Sequence, residues 1–422
     1  MTIQLPRTAP TLPGRPPAAG PADLAREAAR TTRLGVAAVL VATLGLGLAY
    51  GVGYTATTLQ FEAWGTPGWL TGLAGAAPAL AVLVVVPFAP QLGARLGVAR
   101  AMALGAGLAT LSYLLMPLLP TPGAWLGLRF LAGIGLTLPW LLGETWINLV
   151  TRDAVRGRVL AAYTVVLFGA WAAGPELLAR LGSDGWTAPL LATLGMVIAV
   201  VPLVLARRHA PALAATGRVR PLAAVRLAPF AMAAALIGGV VEFGAISMLP
   251  VQALEAGLAE ADALRLLTLL LVGGVALQPL VGWLADRMDR AVLLAGLGVA
   301  LAGLGTLLVL AIATPTAAAI VVFLLGGVVM AFYSVGLTLL GEQVVPAQLV
   351  VANAAFLVSY EAGATGGPLL VGVTLDIAPT VGLGGVLVVA GLVYAVAVVR
   401  HRRQAGAVSR RPSPALPPGP AS

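Results

Sequence analysis

The chain has no cysteine and no lysine, only two histidines, and few charges of either sign. The missing cysteine removes disulfides, thiolate metal sites and cysteine nucleophiles. The missing lysine removes the phosphate-binding lysine of a Walker A loop, which excludes ATP hydrolysis by that route. His209 and His401 both fall in basic loop or tail segments, so histidine metal sites and histidine proton relays inside a membrane are excluded. Glycine patterns such as Gly51-Val52-Gly53 follow no strand, which excludes a dinucleotide loop. No cofactor and no metal are expected. An intramembrane enzyme would need clustered Asp, His or a Ser-Lys dyad at a membrane face, and the sequence has none.

Only 10% of the 422 residues are charged, against about one-quarter in a soluble globular protein. Apolar residues make up 59%, and the mean hydropathy is +0.97. Such a chain cannot cover itself with enough polar surface for water, so its solvent is lipid. The net charge of +9 does not point to nucleic acid. The arginines sit in short clusters between long apolar runs, without aromatic interleaving.

A membrane-spanning helix needs roughly 20 mostly apolar residues. Runs of that kind lie near 34–57, 67–89, 99–119, 124–149, 156–181 and 186–206, and again near 227–250, 262–284, 291–313, 316–341, 350–376 and 379–399. The expected fold is therefore an all-α integral membrane protein with 12 transmembrane helices. Of the 25 arginines, 22 fall in the two tails and the even-numbered loops, and only loop 10–11 breaks the pattern by having none. The positive-inside rule then places both termini in the cytoplasm of a multi-pass plasma (inner) membrane protein. Glu62, Asp184, Glu255, Glu260 and Asp262 fall on the external side, and Trp64, Trp69, Trp125 and Trp186 sit at outer span ends as an interfacial belt. The first 30 residues lack an apolar core and do not read as a signal peptide. The expected organisation is a disordered cytoplasmic tail (1–33), a six-helix bundle (34–206), a cytoplasmic linker (207–226), a second six-helix bundle (227–399) and a disordered tail (400–422).

The two bundles repeat each other at an offset of 192–193 residues. Leu92-Gly93-Ala94-Arg95 aligns with Leu284-Ala285-Asp286-Arg287, Thr121-Pro122 with Thr314-Pro315, and Gly174-Pro175 with Gly367-Pro368. A parallel repeat of six helices gives two pseudo-symmetric halves related by an axis along the membrane normal, with a central path between them.

Gly282-Trp283-Leu284-Ala285-Asp286-Arg287-Met288-Asp289-Arg290 resembles the loop signature of the major facilitator superfamily, and it falls in loop 8–9, where the second-half copy belongs. The first-half copy around Arg95 has Ala94 in place of the acid. Arg129-x-x-x-Gly133-x-Gly135 resembles that family's helix 4 arginine motif, and Gly174-Pro175 its Gly-Pro motif. The stretch Gly143-Glu144-Thr145-Trp146, with Arg156-Gly157-Arg158 beyond it, is similar to the YcaD-like branch. The resemblance covers residues 34 to 399. It implies a conformational latch that closes the cytoplasmic side in the outward-open state. Asp286 would face span 5, with Arg287, Arg290 and Glu342 nearby, and Arg95 would mark the incomplete first-half copy. The plainer alternative is that these charges only fix topology. The Gly-Pro pairs read as packing and bending devices, since small residues let helices approach in lipid and proline bends them.

An ionised side chain at mid-bilayer costs about 2.5–3.5 kcal/mol on insertion scales, so each one needs a partner, a wet cavity or a proton. Glu242 lies roughly 20 Å along span 7, counting 1.5 Å per residue. Glu361 lies near the middle of span 11, Glu144 in the inner third of span 4 and Arg129 in its outer third. Glu176 and Arg180, four residues apart, read as an interfacial ion pair. In the family resembled, helices 1, 4, 7 and 10 line the path. That implies a cavity holding Glu242, Glu144 and Arg129, with Tyr50, Tyr54, Trp140, Trp146, Phe332 and Tyr333 as its aromatic lining. Tyr50 aligns with Glu242 across the repeat. Structural alternatives stand beside these roles. Glu144 can pair with Arg156 or Arg158, Arg129 can tie helix carbonyls, and Glu361 can be a buried hydrogen-bonding group.

The resemblance implies a secondary active transporter working by alternating access. Its expected partners are a small-molecule substrate, protons as the coupling ion and the lipid bilayer, with no nucleic acid, and a monomer is expected. With no intramembrane histidine, carboxylates are the expected proton carriers. An acidic aromatic cavity favours efflux of an amphipathic or cationic compound. The alternative is a non-transporting membrane sensor or scaffold on the same fold, which the missing first-half acid keeps open.

Overall fold

The computed structural model describes residues 21–213, 225–345 and 348–409. Tail residues 1–20 and 410–422, and Arg218 and Arg220 of the expected linker, lie outside the described residues. The first half comprises α1 (Pro21–Ala63), α2 (Gly68–Val85), α3 (Ala89–Leu96), α4 (Val98–Leu115), α5 (Pro122–Val150), α6 (Asp153–Leu181) and α7 (Thr187–Leu205). The second comprises α8 (Pro229–Glu255), α9 (Glu260–Ala276), α10 (Gln278–Arg287), α11 (Arg290–Ala311), α12 (Pro315–Gln343), α13 (Leu349–Ile377) and α14 (Gly382–Ser409). The short helices α3 and α10 follow α2 and α9, and they carry the two copies of the loop motif. The other twelve run alternately up and down. α1 therefore begins and α14 ends on one side of the molecule, the terminal end, and the opposite side is the far end.

Eleven stretches among the described residues are long and apolar enough to cross a bilayer. The twelfth helix, α13, is 29 residues long, which is ample, but it carries Asn353, Ser359, Tyr360, Glu361 and Thr365 between its start and just past its middle. Its polarity marks a helix that faces an interior rather than lipid. The expected tail boundaries shift. Residues 21–33 continue α1 and residues 400–409 continue α14, because Pro21-Ala-Asp-Leu-Ala-Arg-Glu-Ala-Ala is rich in strong helix formers with proline at the first position.

Small residues set the closeness of the helices. A Cβ on Gly174 would come within 2.6 Å of the Gly51 carbonyl carbon, so α1 and α6 touch backbone to backbone at the Gly-Pro motif of α6. Gly367, its repeat mate, lies against the Val240 carbonyl of α8 in the same way. These glycines pack helices, and their prolines sit inside α6 and α13. The expected ion pair between Glu176 and Arg180 forms on α6 at 2.7 Å.

Overpacking a tight contact costs about 1–3 kcal/mol. Gly174→Val should therefore lower the thermal midpoint of the purified protein, whereas Gly169→Val, on the same helix facing open space, should leave it unchanged. A fluorescence melt of the two variants in detergent checks this.

Candidate functional site

Between the halves lies a cavity of about 630 Å³, within the roughly 300–1,000 Å³ of small-molecule sites. Its lining comes from α1, α2, α5 and α6 on one side and from α8, α9, α10, α12 and α13 on the other. Its depth along the molecule is set by which part of each helix contributes. Ala161 and Thr164 lie in the first half of α6, Leu357 in the first half of α13, and Gln278 and Pro279 at the start of α10. All belong to the terminal half, and toward the middle the rings of Tyr54 and Trp171 meet Phe243 across the two halves as a constriction. Among the described residues, the side-chain hydrogen bonds that join the two halves fall at the far side of this constriction. Asp376 accepts from Gly68 N and Trp69 N, Ser183 bonds Glu260, and Thr268 donates to the Ala172 carbonyl.

The second-half wall carries two of the cavity's three acids. Glu242 sits mid-way along α8 and accepts a 2.7 Å hydrogen bond from the Tyr360 hydroxyl of α13. Glu361, the next residue along α13, lines the same cavity and takes no hydrogen bond from a described side chain. Tyr333 of α12 packs its ring on Tyr360 with centroids 4.8 Å apart. Glu144, on α5, accepts from the Trp140 indole at 3.1 Å. Arg156, the alternative partner of Glu144, pairs instead with Asp153 at 2.6 Å. Three carboxylates thus face one cavity, and no arginine or histidine shares its lining.

The first-half wall is aromatic. Trp171 of α6 stacks on Phe168, Tyr50 and Tyr54 with interplanar angles of 3°, 18° and 23°. It also meets Phe243 of the other half edge-on, at 6.3 Å between centroids. Trp171 and Phe168 were not among the residues expected from the sequence, because α6 is not one of the lining helices that the family resemblance names. The i, i+3 spacing of Phe168 and Trp171, which puts both on one helical face, was the available signal.

Three expected lining residues stand elsewhere. Arg129 is fully buried behind the Tyr54 ring, its guanidinium 4.9 Å from the ring centroid, and it does not line the cavity. Its polar neighbour is the Tyr113 hydroxyl, beside Gly53, and no backbone carbonyl lies within hydrogen-bond geometry of its nitrogens, so it does not tie helix carbonyls. Trp146 lies fully buried against Gly35 of α1, two residues beyond Glu144 and so on the far face of α5. Phe332 packs edge-on to Tyr394 of α14, at 5.4 Å, turned away from the path. At the terminal end, Arg290 pairs with Glu342 and the Arg287 guanidinium lies 4.2 Å over the Trp283 ring. Asp286 and Arg95 are exposed, and Asp286 bonds to no described residue.

A family model described as "Major Facilitator Superfamily" matches residues 252–421. The chain is 28% identical over 338 residues to the MFS-type transporter YcaD of Salmonella arizonae, a match that covers 78% of this chain and 86% of that one. Against the YcaD protein of Salmonella newport, the identity is 27% over 343 residues with the same coverage. Among solved structures, the nucleoside transporter NupG superimposes with a TM-score of 0.71 at 12% identity, covering 88% of this chain and 99% of NupG. A bacterial homologue of the human lysosomal transporter Spinster, in an inward-facing and unoccupied conformation, gives 0.66 at 16% identity, covering 91% and 99%.

A buried guanidinium whose polar neighbour is one neutral hydroxyl, that of Tyr113, keeps most of its desolvation cost. Replacing buried charge by apolar groups of similar volume is neutral or stabilising by about 1–4 kcal/mol. Arg129→Met should therefore hold or raise the thermal midpoint, and Arg129→Ala, which opens a cavity behind Tyr54, should lower it. Melting curves of both variants decide.

Proposed function

We propose that this chain, which belongs to the major facilitator superfamily and is on that ground a secondary transporter and not an enzyme, exports an amphipathic or cationic compound in exchange for protons. The observation that carries the reading is the composition of the cavity: three carboxylates, Glu144, Glu242 and Glu361, among aromatic rings, with no basic side chain in the lining. A cation is attracted both by carboxylates and by the faces of aromatic rings. An anion would meet only repulsion from an ionised lining.

Protons fit the same geometry. A carboxylate in a largely apolar cavity inside a membrane carries its charge at a cost, and a bound cation or a bound proton each removes that cost. Competition between the two for Glu242 and Glu361 is exchange. Protonation releases the cargo, and cargo binding displaces the proton. Tyr360 holds the Glu242 carboxylate by its hydroxyl and fixes where the proton sits. Glu144, nearer the terminal end, is placed to relay protons between cavity and water.

Transport follows from rocking of the halves 34–206 and 227–399 about the cavity. With the arginine-rich terminal end in the cytoplasm, the arrangement described is open inward and closed outward. The separated latch agrees with this. Asp286 has nothing to hold while the terminal end is open, and Arg290 and Glu342 keep their charges paired in the meantime. Closing that end would bring Asp286 to the positive N-terminus of the neighbouring helix.

Glu242→Gln should abolish proton-gradient-driven flux of an organic cation in proteoliposomes while leaving binding of the purified protein to that cation detectable. Tyr360→Phe removes a hydrogen bond worth about 1.5–3 kcal/mol to a charged acceptor and should slow flux about tenfold. Unchanged flux in Glu242→Gln would mean that coupling runs elsewhere.

A further inference from the structure

The far end is closed by two contacts that the internal repeat relates to each other. In the first, the Asp376 carboxylate at the end of α13 accepts from Gly68 N at 2.6 Å and Trp69 N at 2.9 Å, the first backbone groups of α2. In the second, Ser183 Oγ, just past α6, donates to Glu260 Oε1 at 2.6 Å, in the first turn of α9. At the repeat offset of 192–193, Gly68 corresponds to Glu260 and Asp376 corresponds to Ser183. The pseudo-two-fold thus carries one contact onto the other, with the carboxylate moved to the opposite side of the joint.

The helix starts explain why the first of these contacts carries more weight. The first four N–H groups of any helix lack partners within it. α2 is preceded by Pro67, whose side chain accepts nothing, and its first turn has no acidic residue. α9 follows Ala259, which also offers no cap, but has Glu260 and Asp262 in its own first turn. α2 therefore takes from the other half both the acceptors and the negative charge that its N-terminus favours. The approach is permitted by glycine on both sides. A Cβ on Gly68 would stand 2.6 Å from the Gly372 carbonyl oxygen, and Gly72 meets the Pro368 carbonyl one turn on. Glu62 and Glu255 bring like charge to the same joint and oppose its closure. Asp376 is water-exposed, so its carboxylate and the two N–H groups can be rehydrated when they part.

We infer that Asp376 is the principal outer clasp of this transporter: its capture of the α2 N-terminus holds the far end shut, Ser183–Glu260 is its weaker repeat-related counterpart, and both must release for the far end to open. The inference rests on the alternating-access reading above.

The chain has no cysteine, so spin labels can be placed without background. Leu119→Cys with Ala313→Cys reports the separation of the halves at the far end. Arg152→Cys with Val350→Cys reports it at the terminal end. Distances are measured by double electron–electron resonance on the full chain in lipid nanodiscs, with and without a pH step. In Asp376→Ala, the population with a long far-end and a short terminal-end distance should rise at least about threefold. Asp376→Asn keeps an acceptor oxygen but loses the charge, and should fall between it and the parent chain. Ser183→Ala should shift less, and the Asp376→Ala/Ser183→Ala pair most. If the parent chain samples both arrangements and none of these variants changes their ratio, the clasp is wrong and alternation stands. If one distance distribution persists in every protein, parent included, alternation itself fails and the clasp with it. Thermal midpoints of Asp376→Asn and the parent chain, measured alongside, separate a shifted equilibrium from a damaged fold.

Discussion

The cost of a bare charge in hydrocarbon orders this molecule. At about 2.5–3.5 kcal/mol or more for each charge at mid-membrane, charged side chains are confined to water-reachable ends, to pairs, or to an interior cavity. The described arginines obey this with one exception. Those of the tails and even-numbered loops sit at the terminal end. Arg180 and Arg265 sit at the far end, each paired within its own helix at 2.7 and 3.1 Å. Arg129 alone lies deep among helices, with an aromatic face in place of a carboxylate. The acids follow the same rule from the other side. Glu242 and Glu361 can stay in the middle of the membrane only because the halves enclose a cavity there.

The second ordering constraint is steric. Between helices in lipid, close packing replaces the hydrophobic effect as the source of cohesion, and a subset of the glycines marks where backbones touch. Within a half, those contacts are extensive and fixed, as at Gly51 with Gly174 and Gly367 with Val240. Between halves, they are concentrated at the far end, where Gly68 and Gly372 meet. At that seam the contacts of Gly68 and Gly72 with Gly372 and Pro368 are backbone to backbone. Two halves joined by it can therefore separate as bodies without repacking their interiors, which is the mechanical requirement for exposing one cavity to two sides in turn.

Much of this was legible in the sequence, and the part that was not has a physical reason. The runs of apolar residues and the 192–193 offset fixed the helices and their pairing into halves. Height along a helix is also readable by counting, which is why Glu242, Glu361, Glu144, Tyr50 and Tyr333 fell at the level of the cavity. Rotation about the helix axis is not readable when nearly every residue is apolar and no polar stripe marks the interior face. Phe332 and Tyr333 differ by 100° of rotation, and only one can point at the path. Trp146 and Arg129 failed on the same ground. Asp376 escaped notice because an acid at the outer end of a span reads as ordinary surface. Its role exists only through the α2 N-terminus, more than 300 residues away in the chain.

The repeat also shows how the two copies divided the chemistry. At the offset of 192–193, Glu242 corresponds to Tyr50, Glu361 to Phe168, Asp286 to Ala94 and Asp376 to Ser183. At all four positions the acid is in the second half and an uncharged residue is in the first. In the membrane interior those uncharged mates are aromatic, and both belong to the ring wall built around Trp171. Because the pseudo-axis runs along the membrane normal, equivalent residues lie at equal depth on opposite sides of the cavity. For the cationic cargo proposed above, an acid on one half and a ring on the other at the same level would make a two-sided site, where two acids would repel and two rings would leave it without a counter-charge. The same divergence leaves each end of the path with its carboxylate on the second half, Asp286 at one and Asp376 at the other. On the alternating-access reading proposed above, each would reach a helix N-terminus of the first half only when its own end is closed, so the two acids would act in turn as the halves rock.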